Sequence, residues 1–123
     1  MNQLDCIEIV SGINKFVMQN LWMDFEVCKM NCGNIVLSGK LDELDDELIE
    51  ITFIQPFFVS VSMCFSYDKG NFIKVVDGDE FVEINKKYHV EQGNFQFKIT
   101  PNSQSTFMVI AKGITAKFNS IDT

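Results

Sequence analysis

Between residues 57 and 67 apolar and small polar side chains alternate, and this run constrains the fold more than any other stretch. In Phe57-Phe58-Val59-Ser60-Val61-Ser62-Met63-Cys64-Phe65-Ser66-Tyr67, one side of an extended chain would carry Phe57, Val59, Val61, Met63, Phe65 and Tyr67. Ser60, Ser62 and Ser66 would lie on the other. A period of two is the signature of a half-buried strand. A slip of one residue would turn the whole apolar row to water, so the register is strongly specified. Asp68-Lys69-Gly70-Asn71 follows as a turn, with Gly70 free to take positive φ.

The pattern recurs along the chain. Residues 22–28, 35–41, 48–54, 72–76, 81–84, 88–90 and 95–99 read as short extended segments between turn signals such as Asp77-Gly78-Asp79 and Glu91-Gln92-Gly93-Asn94. Pro101-Asn102-Ser103-Gln104-Ser105 reads as a loop. Phe107-Met108-Val109-Ile110-Ala111 is a continuous apolar run, as expected of a strand covered on both faces. Ile114-Thr115-Ala116-Lys117-Phe118 extends it across a bulge near Gly113. Eight or nine strands joined by hairpin-length loops predict a mainly β fold, an antiparallel meander closed into a small barrel or sandwich. Residues 4–20 read as a strand followed by one short helical segment around Ile13–Leu21. Residues 41–50 are ambiguous: Leu41, Leu44, Leu48 and Ile49 have helical spacing, yet an acidic hairpin loop near 42–46 suits the flanking strands better than a helical turn.

A length of 123 residues predicts a single domain, residues 1–123, and 46% apolar content with 12 Phe supplies its core. The formal net charge is −7, and all ten basic residues are Lys. Arg is the usual reader of phosphates and base edges, so an acidic, Arg-free chain argues against nucleic acid as a partner. The same balance argues against an anionic membrane surface. Charge is also uneven: residues 1–50 hold ten acidic residues and three Lys, whereas residues 51–123 hold seven of each.

Four cysteines occur, Cys6, Cys28, Cys32 and Cys64. The N-terminal stretch lacks the charge and apolar core of a signal peptide, and no apolar run approaches the ~20 residues of a membrane span. The expected location is therefore cytoplasmic, with reduced thiols. Cys64 is expected to be buried as a small hydrophobe.

Residues with catalytic or metal-binding potential are few and scattered. His89 is the one histidine, an acid–base candidate with Glu83 or Glu91 as possible orienting groups, but an isolated histidine on a strand is more often structural. Cys28-Lys29-Met30-Asn31-Cys32 has a spacing seen in zinc sites, yet only Cys6 and Cys64 remain as further thiols. Asp77-Gly78-Asp79-Glu80 lacks the spacing of a calcium loop. Nucleotide-binding and nucleophile-elbow motifs are absent. No enzyme, cofactor or metal is expected. Trp22, the single tryptophan, is expected in or beside the core.

The strongest functional candidate is the acidic segment, with Asp42, Glu43, Asp45, Asp46 and Glu47 as charges able to steer a basic partner. The chain resembles the immunity proteins of bacterial toxin–immunity systems. The resemblance rests on Gly39-Lys40-Leu41 before the acidic stretch, on Glu50-Ile51-Thr52-Phe53, and on Phe95-Gln96-Phe97-Lys98-Ile99 with Phe107-Met108-Val109-Ile110-Ala111, spanning roughly residues 33–118. It implies a stoichiometric inhibitor that binds a basic toxin domain through an acidic surface. Two other readings are a Phe-rich barrel carrying a small apolar ligand and self-assembly through an exposed sheet edge.

Overall fold

A computed structural model describes residues 1–42 and 46–119. The chain opens with helix α1 (Gln3–Met18), followed by strands β1 (Asp24–Met30), β2 (Asn34–Lys40), β3 (Ile49–Ser60), β4 (Cys64–Ser66) and β5 (Ile73–Val75). Helix α2 (Gly78–Tyr88) precedes β6 (Phe95–Asn102) and β7 (Ser105–Phe118). All described strand pairs are antiparallel and form one sheet in the order β4-β1-β2-β3-β7-β6-β5, curled into a half-barrel.

The expected mainly β, antiparallel character holds, but several elements differ. The described residues carry seven strands rather than eight or nine, and only β1-β2-β3 and the β6-β7 hairpin run as a meander. The alternating run 57–67 is divided between the end of β3 and β4. After Ser60 the chain leaves the sheet centre and crosses to its far edge, where β4 pairs with β1. Two separate extended pieces preserve a period of two through a break. Phe57 is exposed at the register shift within β3, Met63 is exposed between β3 and β4, and Tyr67 is buried. Cys64 is also exposed, and the buried thiol is Cys6.

Residues 81–84 and 88–90 do not form strands, because α2 occupies 78–88. Asp79 and Glu80 lie in its first turn and Lys86 and Lys87 in its last, each complementing the helix dipole. Gln96, wholly buried on β6, donates to the Phe81 carbonyl at 3.0 Å and to Asn85 Oδ1 at 2.8 Å. Tyr88 packs on Phe58, with ring centroids 4.4 Å apart.

The N-terminal helix is longer than expected. Asn2 accepts from the Asp5 N–H while the Asp5 carboxylate accepts from the Asn2 N–H, both at 2.9 Å, a reciprocal capping box. From that start Cys6, Val10, Ile13 and Val17 form one buried stripe. They pack in the common core with Phe25, Leu37, Ile51, Phe53, Phe72, Phe97 and Val109. Aromatic rings fill this interior: Phe25 stacks on Phe72 at 4.7 Å, and Phe53 meets Phe97 at 5.4 Å. Strand β7 contributes Val109 and Ala111, then Ile114 and Ala116, to one core. Its inward set therefore changes parity near Gly113, where the bulge was expected; the register shift itself falls between Pro56 and Phe58 on β3.

An open sheet has edges that must be managed. At β5, Asn14 of α1 does this as a neighbouring strand would. Its Oδ1 accepts from the N–H groups of Ile73 at 2.9 Å and Phe72 at 3.1 Å, and its Nδ2 donates to the Ile73 carbonyl at 2.8 Å. Asn14→Ala is expected to lower stability by about 1–3 kcal/mol, because partly buried backbone groups lose their partners. Urea denaturation measures this; an unchanged midpoint would mean that water replaces the amide at no cost.

Candidate interaction site

One end of the half-barrel holds the described ends of the acidic segment, Asp42 and Asp46–Glu47, together with exposed apolar side chains. Cross-strand register places them there. Asp24 opposes Lys40, and Phe25, Gly39, Ile49 and Phe118 form a row across β1, β2, β3 and β7. The 41–48 connection leaves from Lys40 and returns at Ile49 beside this row. The α1–β1 turn, residues 19–23, arrives at the same end.

That turn is fixed on both sides. Asn20 closes the helix end, its Nδ2 donating to the Phe16 carbonyl at 2.8 Å. On the strand side the Met23 carbonyl accepts from the Tyr67 N–H at 2.8 Å. The Met23 side chain is fully buried above Gly39, where an added Cβ would stand 2.7 Å from the Met23 sulfur. Glycine at 39 thus makes the room that draws Met23 inward. Between these anchors Trp22 adopts φ 70° and remains 67% exposed. A bulky non-glycine residue in the left-handed region is strained, and such strain collects at functional sites. The expectation of a core position for Trp22 is therefore overturned, because Met23 takes the inward place. Leu21 and Met18 are exposed beside it, and Phe118 is partly exposed while its ring meets Phe16 at 5.0 Å.

The predicted acidic residues are distributed as follows. Asp42 and Asp46 are exposed, and Glu47 is half-buried. Glu43 and Asp45 lie outside the described residues. The returning limb is tied down: Asn119 donates from its side chain to the Glu47 carbonyl at 2.8 Å and from its backbone to the Leu48 carbonyl at 2.8 Å. Glu50, at the end of the same acidic stretch, joins Glu47, as does Glu26, which sequence reasoning did not single out. On the face opposite the core, Glu26, Ser38, Glu50 and Lys117 are successive cross-strand neighbours. Asp24, at the start of β1, accepts from the Ser66 hydroxyl. Exposed apolar side chains and carboxylates thus lie at the same end of the sheet.

The other candidates remain dispersed. His89 is an exposed residue closing α2 in the left-handed conformation, with φ 51°. Cys28, Cys32 and Cys64 are exposed free thiols. Among the described residues no group of three or more His, Cys, Asp or Glu side chains is arranged to hold a metal ion.

The crowded carboxylates have a measurable consequence. Burial first, then the hydrogen bond and repulsion from Glu50 and repulsion from Glu26, hold the Glu47 carboxyl above the usual carboxylate range; Lys117 partly offsets them. A carboxyl whose pKa is raised on folding binds its proton more tightly in the folded state, so its ionised form opposes folding. The cost is absent below the unfolded pKa of about 4.3, develops as pH rises towards the folded pKa, and is complete above it. Glu47→Gln is therefore expected to raise the urea midpoint at pH 7, with the gain shrinking below about pH 4. A pH-independent difference would rule out this origin.

Comparison with protein-family models, with curated proteins and with solved structures finds no match to this chain in any of the three.

Proposed function

We propose that this chain is a protein-binding domain that docks a basic protein partner on the Trp22 end of its sheet. The observation that carries this reading is Trp22 itself, a strained, outward-turned aromatic set beside an acidic loop. Trp22, Leu21 and Met18 supply the apolar anchor. Asp24, Asp42, Asp46 and Glu47 supply the field that attracts and orients a cationic surface. Glu43 and Asp45 belong to the same segment by sequence.

On the resemblance to immunity proteins, the partner is a basic toxin domain, neutralised by stoichiometric binding in the cytoplasm. Two features support an inhibitor of this kind: the charge is concentrated rather than spread, and aromatic rings pack against one another within the core. Rings in mutual contact there favour protein binding over carriage of an apolar ligand. No helix among the described residues is long and apolar enough to cross a membrane.

The test uses Trp22→Gly. Glycine adopts positive φ without strain, so this variant is expected to be as stable as the parent or up to about 1 kcal/mol more stable. Removing a central aromatic anchor is expected to weaken binding by about 2 kcal/mol or more, roughly 30-fold. The partner is first captured from native cells with the parent chain, and affinities are then measured with both purified proteins. Replacing Asp42, Glu43, Asp45, Asp46 and Glu47 by Asn and Gln is expected to slow association and flatten its salt dependence. Retained affinity in the glycine variant, or an unchanged salt dependence in the neutralised one, would sink the proposal.

A further inference from the structure

Helix α1 has a second stripe that the fold leaves uncovered. At 100° per residue Leu4, Ile7, Ser11, Lys15 and Met18 fall within an arc of about 80°, turned away from the buried stripe of Cys6, Val10, Ile13 and Val17. Leu4 is 75% exposed, Ile7 46% and Met18 49%. Beside this stripe runs an open groove of about 560 Å³ between α1 and β5, walled by Ile7, Val10, Ile73 and Val75. A strand is a poor occupant for it, since Asn14 already holds the outward N–H and carbonyl of Ile73. A helix suits an open apolar groove of this kind.

The stripe is complementary to itself when reversed. Ser11 is its midpoint, with Leu4 and Met18 seven residues to either side. Glu8 and Lys15 lie on the same flank, about 4.5 Å before and about 6 Å after Ser11 along the axis. A two-fold axis passing Ser11 makes the helices antiparallel and keeps each flank on its own side. It sets Leu4 of one copy against Met18 of the other, and Glu8 against Lys15, twice. The small Ser11 side chain at the axis permits close approach.

We infer that the outer stripe of α1 is a homodimer interface, formed by antiparallel packing of two copies about Ser11. This surface and its partner are independent of the docking proposed at the Trp22 end, apart from Met18 at their border. A helix of 16 residues spans about 24 Å, so the buried area falls below that of a standard stable interface. The dimer is accordingly weak and depends on concentration.

Sedimentation equilibrium of the full chain between roughly 5 and 500 μM tests this. The expected mass rises from 14.1 kDa towards twice that value. Ile7→Asp is expected to hold the chain monomeric throughout. Glu8→Lys and Lys15→Glu each place two like-charge pairs across the axis and are expected to weaken self-association about tenfold. Mixed together, the two variants restore both pairs and are expected to regain mass at the concentrations where each alone is monomeric. Within one helix positions 8 and 15 are two turns apart, so such rescue can only come from pairing between chains. Circular dichroism confirms that each variant is folded. Monomer at every concentration for the parent chain would overturn the inference, as would a dimer that survives Ile7→Asp or a mixture that shows no rescue.

Discussion

A single asparagine amide, that of Asn14, does the work of an eighth strand. The half-barrel stops short of closure, so β5 presents an edge whose backbone groups need partners. Asn14 meets the Ile73 N–H and carbonyl with its own acceptor and donor. That pairing sets the height and rotation of α1 on the sheet, which in turn aims Cys6, Val10, Ile13 and Val17 at the core. The rest follows from this placement. The helix ends above the row Phe25–Gly39–Ile49–Phe118, its outer stripe faces water, and the chain has only residues 19–23 in which to reverse into β1. The opposite edge is handled more simply, by a strand of three residues.

The short reversal converts local packing into an exposed aromatic. Met23 is drawn inward because Gly39 leaves space, and Trp22 is thereby turned outward into the left-handed region. Strain of this type costs of order 1–3 kcal/mol. A carboxylate cluster at the same end carries a further penalty, visible in the elevated proton affinity of Glu47. Both disfavour folding and both lie at the same end of the sheet. Neither belongs to the core. Two unfavourable features placed together are more readily explained by a partner that meets both than by the stability of the isolated chain.

Much of the β character was legible from alternation alone, because central strands pack one face on a core and period two reports that directly. The long 57–67 run misled because extended chain on either side of a crossover keeps the same period; nothing local marks Ser60 as the point of departure. Residues 81–84 misled because four residues satisfy helical and extended spacing equally well, and Gln96, which pins α2 from β6, is remote in sequence. Helix α1 had a readable signal in Asn2 and Asp5 at capping-box spacing. At the candidate site, charge counting located the acidic stretch as far as Glu50 but not Glu26, which joins it only through strand register. Trp22 was misplaced for the same reason: its exposure depends on a glycine of the neighbouring strand, remote in sequence.

Met18 lies on the border between the apolar cluster at the Trp22 end and the outer stripe of α1. If both surfaces bind as proposed, each occupant competes for that side chain. A second copy covering Met18 from the stripe leaves less apolar area for a partner arriving at Trp22, and the reverse holds equally. Coupling of this kind is reciprocal by thermodynamic necessity, so a weak dimer would be dispersed by a tightly bound partner. Its electrostatics point the same way. Two chains of net charge −7 repel over distances where a basic partner is attracted, which leaves the helix pair only its short-range apolar and Glu8–Lys15 contacts to offset the long-range field. Self-association would thus hold the apolar stripe covered in concentrated free protein and yield when a cationic partner arrives.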